Sequence, residues 1–192
     1  MPMQFTDDQL ISRVEKHAKG FTSWRKGLYF VCVRSKADAV DAFDDKGYLF
    51  ECKTQGKRPE FAMAVTCTTN AGTYGLKEFD KYEPKGCAVL EANRIVYDSH
   101  TKGLHKGYAA YRQTKGFPYY RDADRDDKAE ETGPVFDNVI LANIHRASPD
   151  RVSTRIYNWS VACMVLNQPN QWKAFMAYCD GRPVSLCILK EF

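Results

Sequence analysis

Cys163 and His145 are the residues of this chain whose types and setting suit covalent chemistry. Cys163 lies in the apolar run Trp159 to Leu166, and His145 ends the preceding apolar run, Val139 to Ile144. A thiol attacks a carbonyl carbon only as its thiolate, so a nucleophilic cysteine needs a nearby histidine or another positive influence to lower its pKa. If the two runs are neighbouring central strands, the segment 146–162 is long enough to connect them and to set thiol and imidazole side by side. Spacing alone also fits a quieter pair, a cysteine packed as a small hydrophobe beside a hydrogen-bonded core histidine.

Other side chains would serve such a pair by holding a substrate. His105, between Gly103 and Gly107, is placed to line a groove or orient a carboxylate. Arg121 and Arg146 each offer a planar fork for bidentate contact with a carboxylate. Tyr119 and Tyr120 would wall the groove. Asp122, Asp124 and Asp126 have the spacing of the first calcium-loop positions, but Asp127 stands where glycine is required and Gly133 where glutamate is required, so a solvated acidic loop is expected. His100 and His105 lack a carboxylate pair and make a poor zinc site. Neither metal nor cofactor is needed by the expected chemistry.

The elements that must position these residues are mostly strands. Thr6-Asp7-Asp8-Gln9 followed by Leu10, Ile11 and Val14 predicts a capped amphipathic helix that stops at Gly20. Tyr29 to Val33, Tyr48 to Cys52 and Phe61 to Thr68 predict an antiparallel meander. Cys87 to Leu90 and Arg94 to Tyr97 are expected to continue it as a hairpin across Glu91-Ala92-Asn93. Residues 100–116 read as a loop region with a short helix at Tyr108 to Gln113, and residues 121–127 as surface. Pro169 opens a helix with Trp172, Phe175, Met176 and Cys179 at helical spacing, and Val184 to Leu189 is a last strand. The expected class is α+β: one β-rich sandwich or barrel over residues 1–192, with an N-terminal helix and a helix after the strand that carries Cys163.

Composition narrows the functional classes. Hydrophobic residues at 44% and charged residues at 27% describe a globular chain rather than a disordered one. The net charge of +4 is spread among interleaved acids and bases, so no phosphate-tracking stripe is visible and no nucleic-acid partner is expected. Seven cysteines without a CxxC pair argue for reduced thiols rather than a disulfide framework. No run approaches the ~20 apolar residues of a membrane span, and the first residues lack a signal-peptide pattern, so synthesis in a cytoplasm is expected.

Several separated blocks resemble one family. Ile144-His145-Arg146, fourteen residues after His145, then Ser160-Val161-Ala162-Cys163 is similar to the L,D-transpeptidase signature of His, a spacer, Ser or Thr, His, Gly, Cys. The order His before Cys disfavours papain-like and NlpC/P60-like peptidases. Asn143-Ile144-His145-Arg146-Ala147 and Trp159-Ser160 resemble a phage-associated branch of that superfamily, as do Thr68-Thr69-Asn70-Ala71-Gly72, Gly103-Leu104-His105-Lys106-Gly107 and Tyr120-Arg121-Asp122. The likeness spans roughly residues 65–180. It implies Cys163 as nucleophile, His145 as base, an oxyanion hole around Ala162 and Cys163, and Ser160, Arg146, His105, Arg121 and Tyr120 about the substrate. The implied reaction is acyl transfer on peptidoglycan stem peptides through a thioester, more hydrolytic than crosslinking, by an enzyme that reaches the wall after release from a host cytoplasm. Val161 and Ala162 replace the family's His and Gly, which leaves a silent, peptide-binding relative as the alternative.

Overall fold

A computed structural model describes residues 4–192. The described residues form a strand-rich α+β structure built on a closed barrel, with three α-helices among them. Helix α1 (Asp7–His17) begins with a reciprocal cap: the Gln9 N–H donates to Thr6 Oγ1 at 3.2 Å and the Thr6 N–H to Gln9 Oε1 at 2.8 Å. Asp7 and Asp8 in its first turn and Lys16 and His17 in its last complement the helix dipole.

Strands β1 (Gly27–Arg34), β2 (Asp45–Cys52) and β3 (Glu60–Thr68) form the antiparallel meander. The separate ribbon of β4 (Cys87–Leu90) and β7 (Tyr119–Asp122) sits outside the barrel. The barrel is completed by β5 (Arg94–His105), β6 (Tyr108–Gln113), β8 (Ile144–Arg146), β9 (Met164–Leu166) and β10 (Val184–Lys190), in the order β1-β10-β5-β6-β8-β9-β3-β2. The β1–β10 and β8–β9 pairs are parallel. The short helix α2 (Thr73–Lys77) and α3 (Pro169–Cys179) lie in the connections.

The unbroken apolar text of β1 follows from burial on both faces. Leu28, Phe30 and Cys32 join a cluster with Tyr111, Ile144, Met164, Leu186 and Ile188, closed by Trp172, Phe175 and Cys179 of α3. Tyr29, Val31 and Val33 face the other way, onto Leu10, Ile11 and Val14 of α1. Gly47 on β2 is required by this packing, because a Cβ there would stand 2.5 Å from Phe30 Cζ.

Several sequence expectations are corrected. Residues 100–113 are no loop with a helix: β5 runs on to His105, turns through Lys106 (φ 47°) and Gly107 (φ 85°), and returns as β6. Two consecutive left-handed residues give the tight turn that matches strand twist. β4 and β5 form no hairpin, since β4 pairs with β7 while β5 pairs with β10 and β6. The buried Glu91 fixes that crossing by accepting from Lys19 Nζ at 2.7 Å and Arg94 Nε at 2.8 Å.

The two apolar runs around the chemistry are strands only at their ends, in β8 and β9. Residues 139–143 obtain their hydrogen bonds elsewhere. Gln113 Oε1 accepts from the N–H of Ile140 at 3.0 Å and of Ala142 at 2.9 Å, and the Ala142 carbonyl contacts His100 Nε2 at 2.8 Å. In the acidic stretch Asp122 is buried at the end of β7 and accepts from the Glu130 N–H at 2.9 Å. Asp124 and Asp126 accept from the N–H two residues on, so these carboxylates shape turns. No helix among the described residues is long and apolar enough to cross a membrane.

Candidate active site

Parallel pairing of β8 with β9 sets His145 opposite Val165, which places Asn143 beside Cys163 one step before the strands begin. Alternation then puts Ile144, Met164 and Leu166 in the barrel core, while Asn143, His145, Cys163 and Val165 share the opposite face. The Asn143 N–H donates to Cys163 Sγ at 3.4 Å, and the Met164 N–H to the Asn143 carbonyl at 2.9 Å.

Cys163 Sγ and one ring nitrogen each of His105 and His145 lie within 4.8 Å of one another. His145 is fixed from behind. Its Nδ1 is 2.7 Å from the Arg146 carbonyl, which can only accept, so the proton sits on Nδ1 and Nε2 is left as the bare base. Tyr108 Oη braces the same corner, 3.0 Å from His145 Nδ1 and 3.3 Å from the Arg146 carbonyl. Nε2 is buried and has no hydrogen-bond partner among the described residues. A buried base left unpartnered is costly.

The thiol's own contact is the Leu141 carbonyl at 3.6 Å. Leu141 is held in the left-handed region, at φ 61°, and is half exposed, a strained conformation of the kind that collects at functional sites. Burial pushes the Cys163 thiol up to about 11, against the lowering effect of the Asn143 N–H. Burial, with His105 alongside, pulls His145 down to about 3. At neutral pH the pair is therefore thiol and neutral imidazole.

Cys163 lines a cleft of about 390 Å³ together with Val161, Ala162, Val139, Leu141, Phe79, Tyr82 and Arg121. Arg121 is preset there: Nη1 donates to the Gly86 carbonyl at 3.0 Å, and its guanidinium lies 4.9 Å over the Tyr119 ring. The backbone N–H groups of Ala162 and Cys163 meet no backbone acceptor among the described residues.

His105 stacks on His145 with centroids 4.0 Å apart, its Nδ1 accepting from Asn143 Nδ2 at 3.0 Å. Three expected substrate contacts are placed otherwise. Ser160 is buried and donates to the Cys163 carbonyl at 2.9 Å, so it shapes the turn before the thiol rather than touching a ligand. Arg146 folds over Tyr108 at 4.1 Å and donates to the Ala147 carbonyl at 2.9 Å, facing away from the cleft. Tyr120 alternates to the face of β7 opposite Arg121, because β4–β7 pairing sets it against Val89.

Sequence reasoning missed Asn143, Tyr108 and Gln113. Asn143 was within reach, being two residues from His145 and hence on its face. Tyr108 was hidden by the helix expected over 108–113.

One of the seven thiols should be open to reagents. Cys163 is 9% exposed and lines the cleft, while the other six are at most 1% exposed. Iodoacetamide on the native protein is expected to label Cys163 alone by peptide mass spectrometry, with a rate rising roughly tenfold per pH unit toward pH 11 as thiolate forms. Comparison with protein-family models, with curated proteins and with solved structures finds no match to this chain.

Proposed function

We propose that the chain is a cysteine-dependent acyl-transfer enzyme of the L,D-transpeptidase kind, acting on peptidoglycan stem peptides and releasing the acyl group chiefly to water. The observation that carries this reading is a buried imidazole, His145, whose Nε2 has no partner among the described residues and one of whose ring nitrogens lies within 4.8 Å of the sulfur of the cleft-lining Cys163. The blocks around Asn143, His145 and Trp159 supply the substrate class by resemblance, and their phage-associated likeness favours hydrolysis.

The steps follow from proton positions. As Cys163 Sγ attacks the peptide carbonyl carbon, its proton passes to His145 Nε2 and the carbonyl oxygen becomes an oxyanion held by the N–H groups of Ala162 and Cys163. The C–N bond then breaks, and the leaving amine takes the proton from Nε2. A water molecule loses a proton to Nε2 as it attacks the thioester, and Sγ is reprotonated on release. Because both groups rest neutral, the thiol gives up its proton during attack instead of waiting as an ion pair. Arg121, paired at rest with Glu83 Oε2 at 3.4 Å in the same cleft, would exchange that partner for a substrate carboxylate.

This gives an unusual pH profile. The base works only when neutral, and His145 protonates at about 3 instead of near 6.5, so kcat/KM should stay flat as pH falls from 7.5 through 5.5. A loss of activity centred near pH 6.5 would show that an ordinary, exposed imidazole does the work. A second reading, peptide binding without turnover, is favoured by Val161 and Ala162, which line the cleft where the family has histidine and glycine. Mass spectrometry of muropeptides after incubation with purified walls separates the two. New cleaved stem peptides with the wild type and none with Cys163→Ala support the enzyme; identical unreacted walls with both support the binder.

A further inference from the structure

The cluster of His105, His145 and Cys163 has a second chemical capacity. Two imidazoles and a thiol are the donor set of zinc sites with an open position, and their donor atoms fall within 4.8 Å of one another. Around a tetrahedral zinc ion the same donors would be roughly 3.3–3.7 Å apart. The required contraction is small. His145 Nε2, on a side chain 1% exposed and with no partner among the described residues, already presents a free lone pair.

The element that must move is His105. Its ring plane is only 12° from that of His145, so the two sets of lone pairs run side by side rather than converge on one ion. His145 cannot turn, being tied through Nδ1 to the Arg146 carbonyl, a backbone link of the type that fixes metal-binding histidines. His105 can. It is half-buried, is the last residue of β5 before the Lys106-Gly107 turn, and its ring is held by a single hydrogen bond, from Asn143 Nδ2. The nearby Lys106 ammonium opposes a dication, and the thiolate formed on binding offsets it.

We propose that His105, His145 and Cys163 bind a thiophilic divalent ion of the zinc class, and that occupancy silences the thiol. Binding is balanced as Zn²⁺ plus the Cys163 thiol and two neutral imidazoles giving the thiolate complex and one proton to solvent, with no redox change. The silencing half rests on Cys163 being the nucleophile of the proposed reaction, whereas the binding half does not.

The test uses the full chain freed of metal, with Co²⁺ as the optical probe and Zn²⁺ as competitor. The expected result is one Co²⁺ per chain with an intense thiolate-to-cobalt charge-transfer band, displaced by Zn²⁺, with about one proton released per ion. Cys163→Ala should lack the band, His105→Ala should bind at least about tenfold more weakly, and Lys106→Ala should bind more tightly. Zn²⁺ should also protect Cys163 from iodoacetamide until a chelator is added. Absence of the band in the wild type, or equal affinity in His105→Ala with its fold verified by circular dichroism, overturns the proposal. A band without any acyl transfer would sink the enzyme reading and leave the metal site standing; acyl transfer without a band would do the reverse.

Discussion

Replacing Cys163 by alanine is expected to lower kcat for stem-peptide cleavage by at least about 10³-fold, because it removes the only group proposed to form a covalent bond with substrate. The fold should scarcely notice. The sulfur contributes contacts to the Asn143 N–H and the Leu141 carbonyl, and loss of one small buried group of this kind costs on the order of 1 kcal/mol. Cys163→Ser should be similarly inactive, since a hydroxyl beside a base pulled down to about 3 is far harder to deprotonate than a thiol. Substrate binding should survive in both, because Arg121 and the cleft walls are untouched. Steady-state assays with muropeptide analysis, alongside thermal unfolding, separate chemistry from folding. Retention of a tenth or more of the activity in Cys163→Ala would remove Cys163 as nucleophile.

Gln113→Ala is expected to give the largest loss of stability, about 3 kcal/mol, although Gln113 touches none of the reacting atoms. Its Oε1 accepts from two backbone N–H groups, those of Ile140 and Ala142, and its Nε2 donates to the Lys115 carbonyl at 2.9 Å. Truncation leaves three main-chain groups without partners, and each one that stays buried costs about 1–3 kcal/mol. For a chain of this size the midpoint of thermal unfolding should fall by about 6–12 °C. The segment so loosened carries Leu141 and Asn143 to Cys163, so kcat should fall with it. An unchanged midpoint would show that residues 139–143 are held by other contacts.

These two residues mark what the sequence could and could not reveal. The juxtaposition of Cys163 and His145 was legible because one lies within an apolar run and the other ends one, and parallel pairing of β8 and β9 brings the two runs together. The meander β1–β3, the capped helix α1 and the helix α3 were legible because burial imposes its period on the text. Gln113 was not. A side chain standing in for a missing sheet ladder leaves no periodic trace, and residues 139–143 therefore read as a strand.

The hairpin of β5 and β6 was lost for a related reason. Tyr108-Ala109-Ala110-Tyr111-Arg112-Gln113 suits a helix locally, and only pairing with β5 and β8 makes it a strand. With that hairpin went Tyr108, the brace of His145. Arg121 and Tyr120 differ by one residue, and the phase of β7 that sends only the arginine into the cleft is set by pairing with β4, which residues 91–118 separate from it in the chain. Arg146 was misassigned because its stacking partner, Tyr108, belongs to that unseen hairpin.

The central claim is a covalent intermediate on one named sulfur, and intact-protein mass spectrometry of the enzyme mixed with a stem peptide and quenched in acid tests it most directly. Wild-type protein is expected to carry an added acyl mass, mapped to Cys163, removed by hydroxylamine as a thioester is, and absent from Cys163→Ala. Cleavage of the peptide with no adduct, or with an equal adduct on Cys163→Ala, would contradict it.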